Sequence, residues 1–159
     1  MVAQSGANKI EIKPAIVEDH IQLTDLTLRS KASWGYSELQ MESWREMLTI
    51  SPGYIRSNNV FVAYCELELA GYYSWVHTSD NSVELDNMFV TPEQMGLGIG
   101  KRLMRDFLRR MQKTGTKEVT LYSDPNAEPF YALFGFVVIG KSESTIKGRY
   151  LPVMKKEMP

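Results

Sequence analysis

The sequence predicts an α/β fold in which one mixed sheet is flanked by helices, and three observations carry that reading. Val60 to Leu67 and Leu69 to His77 are β-type runs separated by little more than Glu68, the pattern of a tight hairpin. Ile99, Leu103, Met104, Phe107, Leu108 and Met111 recur at the helical period, with Lys101, Arg102, Arg105, Asp106, Arg109 and Arg110 on the opposite side. The elements then follow in the order strand, two helices, three strands, helix, strand, which suits a mixed sheet better than a doubly wound one.

At 159 residues, 43% hydrophobic and 23% charged, the chain is long enough for one well-filled core. A single domain is expected over 9–159, behind a flexible amino-terminal segment 1–8. A net charge of −1 argues against nucleic acid as a bulk electrostatic partner. Cys65, the single cysteine, has no internal disulfide partner, and no apolar run approaches the roughly 18 residues that a membrane span requires. The opening MVAQSGANK has no hydrophobic signal core, so a cytoplasmic protein with no membrane partner is expected.

In chain order, Ile10, Ile12 and Ala15-Ile16 predict a first strand. Glu18-Asp19 open a helix with apolar positions Ile21, Leu23, Leu26 and Leu28, interrupted by Lys31 to Tyr36. Ser37 with Gln40 forms a capping box for a second helix through Trp44, Met47 and Leu48, which ends before Pro52-Gly53. Trp34 and Tyr36, in the loop between these helices, either pack the junction or form a lid over a substrate. After the hairpin, Asp80-Asn81-Ser82 turns into a strand from Val83. Val83 and Leu85 alternate with Glu84 and Asp86, but Met88, Phe89 and Val90 are apolar together, so the in/out parity breaks near Asn87, as at a bulge. Backbone groups left unpaired there could hydrogen-bond an extended, amide-containing ligand.

Three glycines at alternate positions, Gly96, Gly98 and Gly100, join that strand to the helix that Gly115 stops. The first turn of a helix has N–H groups without intrahelical partners and the positive end of the dipole, and glycines let an anion come close. The stretch reads as a diphosphate cradle. A dinucleotide GxGxxG fails because Lys101 or Leu103 stands where the last glycine must be, and a Walker loop fails at Met95 and Arg102. Beyond the helix, Glu118 to Tyr122 predicts a short strand, and 123–136 a short helix capped by Asp124 or Asn126 and stopped by Gly135. Phe136 to Gly140 and Tyr150 to Lys156 close the sheet around a polar linker, and these closing strands could pair between subunits, so a homodimer is possible.

Val90-Thr91-Pro92 followed by Gly98-Ile99-Gly100, and later Asn126, Ala127, Phe130-Tyr131 and Gly135-Phe136, resemble the GNAT superfamily of acetyl-CoA-dependent N-acetyltransferases. The tail, with Gly148, Arg149, Leu151, Pro152 and Met154, and the SKASWGY segment at 30–36 are similar to those of small bacterial members whose substrate is unassigned. The resemblance runs from Ile10 onward. It implies the GNAT (acyl-CoA N-acyltransferase) fold, a mostly antiparallel twisted sheet with about four helices, and acetyl-CoA as cosubstrate. It also implies cofactor contacts from Met88, Phe89, Val90, Met95, Gly96, Leu97, Gly98, Ile99, Gly100, Lys101 and Asn126, with no metal. One departure stands out: the family's Gln/Arg position falls on Met95, with Gln94 one place early.

The chemistry follows from the reactants. An alkyl amine of pKa about 10.4 is free base in only about one molecule in 2,500 at pH 7, a cost of roughly 4.6 kcal/mol, so a general base is needed. Glu84 occupies the strand position where several GNAT enzymes place one, and Asp86 shares its face as the reserve; both could equally be solvated strand carboxylates. A backbone N–H near Met88 is the candidate donor to the developing oxyanion. The family places the hydroxyl of the Tyr131 position at the thioester sulfur. A thiol of pKa about 8.5 lies below tyrosine's, about 10, so Tyr131 acts either through a hydrogen bond in the transition state or in a site that raises the thiol's proton affinity; the alternative is a core aromatic beside Phe130 and Phe134. An acyl-Cys65 route needs a paired histidine, and neither His20 nor His77 lies in a pairing motif. Tyr73 and Arg149 are candidates for the acceptor pocket, Arg149 for an acceptor carboxylate. The acceptor is an amine-bearing small molecule, peptide or protein; the competing reading is an acyl-CoA-binding module without turnover.

Overall fold

A computed structural model of the chain describes residues 9–159, and the segment 1–8 expected to be flexible lies outside the described residues. The strands are β1 (Ile10–Pro14), β2 (Asn59–Cys65), β3 (Glu68–His77), β4 (Ser82–Val90), β5 (Glu118–Tyr122), β6 (Val137–Glu143) and β7 (Tyr150–Glu157). They form one seven-stranded sheet in the order β1-β2-β3-β4-β5-β7-β6. β4 and β5 run parallel, with Glu84 opposite Thr120, while β1–β2, β5–β7 and β6–β7 are antiparallel. The mixed sheet is the predicted one. The helices are α1 (His20–Ala32), α2 (Glu38–Trp44), α3 (Pro52–Ser57), α4 (Ile99–Thr114) and α5 (Glu128–Ala132). None is long and apolar enough to cross a membrane among the described residues.

Differences from the sequence reading have local causes. A 3₁₀ turn at Val17–Asp19, with the Asp19 carboxylate accepting the Ile16 N–H at 2.9 Å, precedes α1. The buried stripe of α1 is Leu23, Leu26, Thr27 and Ser30, and Ile21 falls off it, 69% exposed. Ser37 caps α2 as expected, its Oγ accepting the Gln40 N–H at 3.0 Å, but the helix stops at Trp44 and leaves Met47 exposed. Pro52-Gly53, taken as a stop, instead starts α3, because proline fits the first helical position and Ser51 Oγ accepts the Tyr54 N–H at 3.0 Å.

The chain divides into two compact units, one reaching to Ser74 and including Asn87–Asp106, the other Trp75–Asp86 with Phe107–Pro159. In the first, Leu23, Leu26, Ile50, Ile55, Val60, Val62 and Tyr72 form the core. Tyr72 shares a hydrogen bond with the Thr27 hydroxyl and stacks on Phe89 with centroids 6.0 Å apart. A Cβ at Gly71 would stand 2.7 Å from the Phe89 carbonyl oxygen and 3.0 Å from Leu103 Cδ1, so only glycine lets the backbone lie this close. Asp106, assigned by sequence to the polar face of α4, is buried and accepts the Tyr73 hydroxyl at 2.6 Å. In the second unit, Phe107, Met111, Val119, Leu121, Phe136 and Met154 are buried, and β6 bulges against β7 between Val138 and Gly140.

Candidate active site

The cradle belongs to the first unit. Along β4, Val83 and Leu85 are buried and Asp86 exposed, after which Asn87, Met88, Phe89 and Val90 are all half-buried, so the parity breaks where the sequence says it does. Phe89 turns its ring to Tyr72. The Asn87 amide nitrogen donates to Ser74 Oγ (2.9 Å) and Tyr54 Oη (3.3 Å), which are themselves 2.8 Å apart.

The chain then turns through Pro92–Gln94. The Met95 N–H is used on Pro92 and the Leu97 N–H on Gln94, both at 3.3 Å. Gly96 and Gly98 sit at φ +81° and +86°, conformations that an L side chain rarely adopts, and a Cβ on either would meet nothing within 4 Å. Arg102 donates to the Gly98 carbonyl at 3.1 Å, so the amides of Ile99, Gly100 and Lys101, in the first turn of α4, have no intrahelical acceptor. Such amides, following the open positions at Gly96 and Gly98 and at the positive end of a helix whose exposed face carries Lys101, Arg102 and Arg105, are groups that stabilise an anion. Ile99 itself is a core side chain, 2% exposed, and Leu97 is 67% exposed. The Met95 sulfur accepts from Ser33 Oγ at 3.8 Å and brings no charge to the cradle.

The last turn of α1 is held to this turn. Arg29 makes a two-pronged contact with Glu93 (2.9 and 3.0 Å). Tyr36 packs edge-on to Trp44 at 4.8 Å with the Lys31 ammonium over both rings, while Trp34 stays 48% exposed. A groove of about 440 Å³ between α1 and α2 is lined by Tyr36 and Met41 together with Arg29, Arg45, Glu38 and Glu42, whose charges balance. Tyr73 does not join a pocket: it is fully buried, stacked on Phe61 at 5.6 Å and hydrogen-bonded to Asp106, because its parity on β3 turns it toward α4.

The second unit holds the titratable candidates. Glu84 is half-buried beside Thr120, and loss of hydration, with a smaller contribution from the Asp86 charge, raises its pKa above the usual carboxylate range. Tyr131 lies edge-on to Phe130 (5.3 Å) and Phe136 (6.0 Å), and burial, reinforced by the Asp124 carboxylate, raises its phenol well above the ordinary value. The two causes act in the same direction, so Tyr131 keeps its proton throughout the working pH range. Asn126 is tied by backbone N–H (2.8 Å) and side-chain amide (2.9 Å) to Asp124 Oδ1. Arg149 donates to Asp124 Oδ2 at 3.3 Å and to Ser144 Oγ at 2.8 Å, rather than standing as a solvated charge. Asp124 is the residue the sequence undervalued; only its capping position was visible there.

Comparison with known proteins supplies the family. The family model described as an acetyltransferase (GNAT) domain matches residues 13–158. An uncharacterized N-acetyltransferase, ycf52, of Porphyra purpurea is 28% identical over 75 residues, which is 46% of this chain and 41% of that protein; the chain therefore spans well under half the length of the curated relative it matches. Among solved structures, the PaiA N-acetyltransferase of Thermoplasma acidophilum in complex with coenzyme A superposes with a TM-score of 0.76 at 25% identity, covering 94% of this chain and 99% of that one. A GCN5-related N-acetyltransferase from Rhodopseudomonas palustris shares the fold, with a TM-score of 0.78 at 20% identity over 99% and 98% of the two chains. With one family model spanning nearly all of the described residues and the cradle's geometry in place, the chain belongs to the GNAT family of acetyltransferase domains.

Proposed function

We propose that residues 9–159 form a single acetyltransferase domain that moves an acetyl group directly from acetyl-CoA to a primary amine. The observation that carries this is the glycine turn: positive φ and open space at Gly96 and Gly98, followed by first-turn amides of α4 that have no intrahelical acceptor. The family supports the same cosubstrate, since the PaiA relative was solved with coenzyme A bound.

In this reading Gly96 and the amides of Gly98 to Lys101 hold the diphosphate, and the main chain of Met88 to Val90 pairs with the amide-bearing arm, with an N–H near Met88 for the oxyanion. Asn126 contacts the cofactor. Glu84, rather than the exposed Asp86, removes the amine's proton, because a carboxylate raised toward neutrality is the stronger base. Tyr131 donates a hydrogen bond to the sulfur as the thiolate leaves; a phenol raised this far above a thiol of pKa about 8.5 does not hand over its proton. The groove beside Tyr36 serves the acceptor, with the exposed Trp34 two residues before Tyr36 in the chain, and its balanced charges select for neither a polycation nor an acid. A Cys65 that forms no disulfide and a soluble cosubstrate suit the cytoplasm. β6, the last strand of the sheet, exposes Val137, Val138 and Ile139 and is the face through which a homodimer would form.

The test is thiol release from acetyl-CoA across a panel of amines, with coenzyme A affinity measured by calorimetry. Turnover with at least one amine, reduced in Glu84→Gln and Tyr131→Phe, is the expected result. Tight binding with no release for any amine, and no effect of either substitution, would establish a non-catalytic acyl-CoA-binding module instead.

A further inference from the structure

We infer that Arg149 is a positioning residue that clasps the Asp124–Asn126 turn and so fixes the cofactor-facing side chains around α5; this rests on the acetyltransferase reading. The two oxygens of Asp124 are divided between two jobs. Oδ1 takes both the backbone N–H (2.8 Å) and the side-chain amide (2.9 Å) of Asn126, while Oδ2 takes Arg149 Nη2 at 3.3 Å. The pair is largely withdrawn from water, with side-chain exposures of 18% for Arg149 and 10% for Asp124, so a carboxylate left without its cation there would be costly. Asp124 also lies close enough to Tyr131 for its charge to act on the phenol.

The guanidinium does not reach Asp124 as a loose surface arm. Its other nitrogen is anchored on Ser144 Oγ at 2.8 Å, and the loop between β6 and β7 closes on itself through Ser144 N–H to Arg149 O (3.0 Å) and Arg149 N–H to Ile146 O (3.1 Å). Gly148, at φ +81°, permits that turn. Two nitrogens bridging two partners is a task for the planar fork of arginine, which a lysine ammonium cannot duplicate. Hence the tail segment around Arg149 serves the cofactor side of the reaction and not the acceptor.

The experiment measures kcat and separate KM values for acetyl-CoA and for the amine in wild type, Arg149→Met, Arg149→Lys and Asp124→Asn, with hydrogen exchange read on the peptide covering 124–132. Arg149→Met should raise KM for acetyl-CoA about tenfold and lower kcat several-fold, leaving KM for the amine unchanged, as displacement of positioned groups predicts. Arg149→Lys should recover little of this, millimolar ethylguanidinium should restore part of it, and Arg149→Met combined with Asp124→Asn should be no worse than either alone. Exchange should speed up in 124–132 and not in β5 or β7. A change confined to KM for the amine would return Arg149 to the acceptor and overturn the inference. So would unaltered exchange in 124–132, or a loss of protection spread evenly over β5 and β7. Wild-type protein that binds coenzyme A without turnover would overturn the catalytic reading alone, since the exchange and coenzyme A affinity of the variants still decide the role of Arg149.

Discussion

The glycine turn before α4 and the Asp124–Tyr131 stretch before and within α5 solve opposite problems. The first offers its chemistry through the main chain: Gly96 and Gly98 remove side chains, Met95 and Leu97 spend their amides inside the turn, and in the proposed reading the remaining N–H groups are what a phosphate meets. The second offers its chemistry through side chains held by one another: Asn126 by Asp124, Asp124 by Arg149 and Arg149 by Ser144, with Tyr131 set edge-on against Phe130 and Phe136. A main-chain site needs only a permissive local sequence, whereas a side-chain site needs partners brought from elsewhere in the chain.

Substitutions can break this contrast, and the largest effect is expected at Glu84. Glu84→Gln should lower kcat by about 10² to 10³ while leaving coenzyme A affinity unchanged in calorimetry, because only the base is lost. Its pKa is raised in the folded state, so the protonated form is favoured by folding; that stabilisation is complete below the unfolded carboxylate pKa and is lost as pH rises through the folded one. Glu84→Gln should therefore melt higher than wild type at pH 7, with the gap closing as the pH drops below the usual carboxylate range. The acidic limb of the kcat/KM profile should lie above that range and disappear in the variant.

Tyr131→Phe should cost about 10- to 100-fold in kcat, the value of one aligned donor at a developing charge, again with little change in coenzyme A affinity. Because burial and Asp124 keep the phenol protonated, the wild-type profile should show no alkaline limb that this substitution removes. Gly98→Ala inverts the pattern: a left-handed residue gains a Cβ in open space, so coenzyme A affinity should fall about tenfold while denaturant unfolding shifts by about 1 kcal/mol. If calorimetry instead shows normal affinity, the cradle is not where the diphosphate sits. The smallest effect on turnover is expected from Tyr73→Phe, which should cost about 1–3 kcal/mol in urea unfolding by removing the buried hydroxyl–carboxylate bond to Asp106.

The same division explains what the sequence disclosed. The strands along the chain, the α4 stripe from Ile99 to Met111 and the glycine turn were legible because each depends on a local period or a local φ. So was the loss of parity at Asn87. α3 was not, since Pro52-Gly53 can end one helix or begin another, and Ser51 as cap decides between them only once Leu48 and Ile50 are packed. An aromatic strand residue and a lone arginine give no sign in the sequence of their partners, Asp106 for Tyr73 and Asp124 for Arg149, which lie 33 and 25 residues away.

The contact between Tyr73 and Asp106 has one more consequence. A helix laid on a sheet can roll about its long axis, and each residue of slippage turns it by about 100°. A 2.6 Å bond from a strand to a carboxylate roughly two turns in from Ile99 works as a locking pin: it fixes the azimuth of α4, and with it the bearing of the amides at its tip. The aim of the anion site is thus set in the dry interior, out of reach of any ligand.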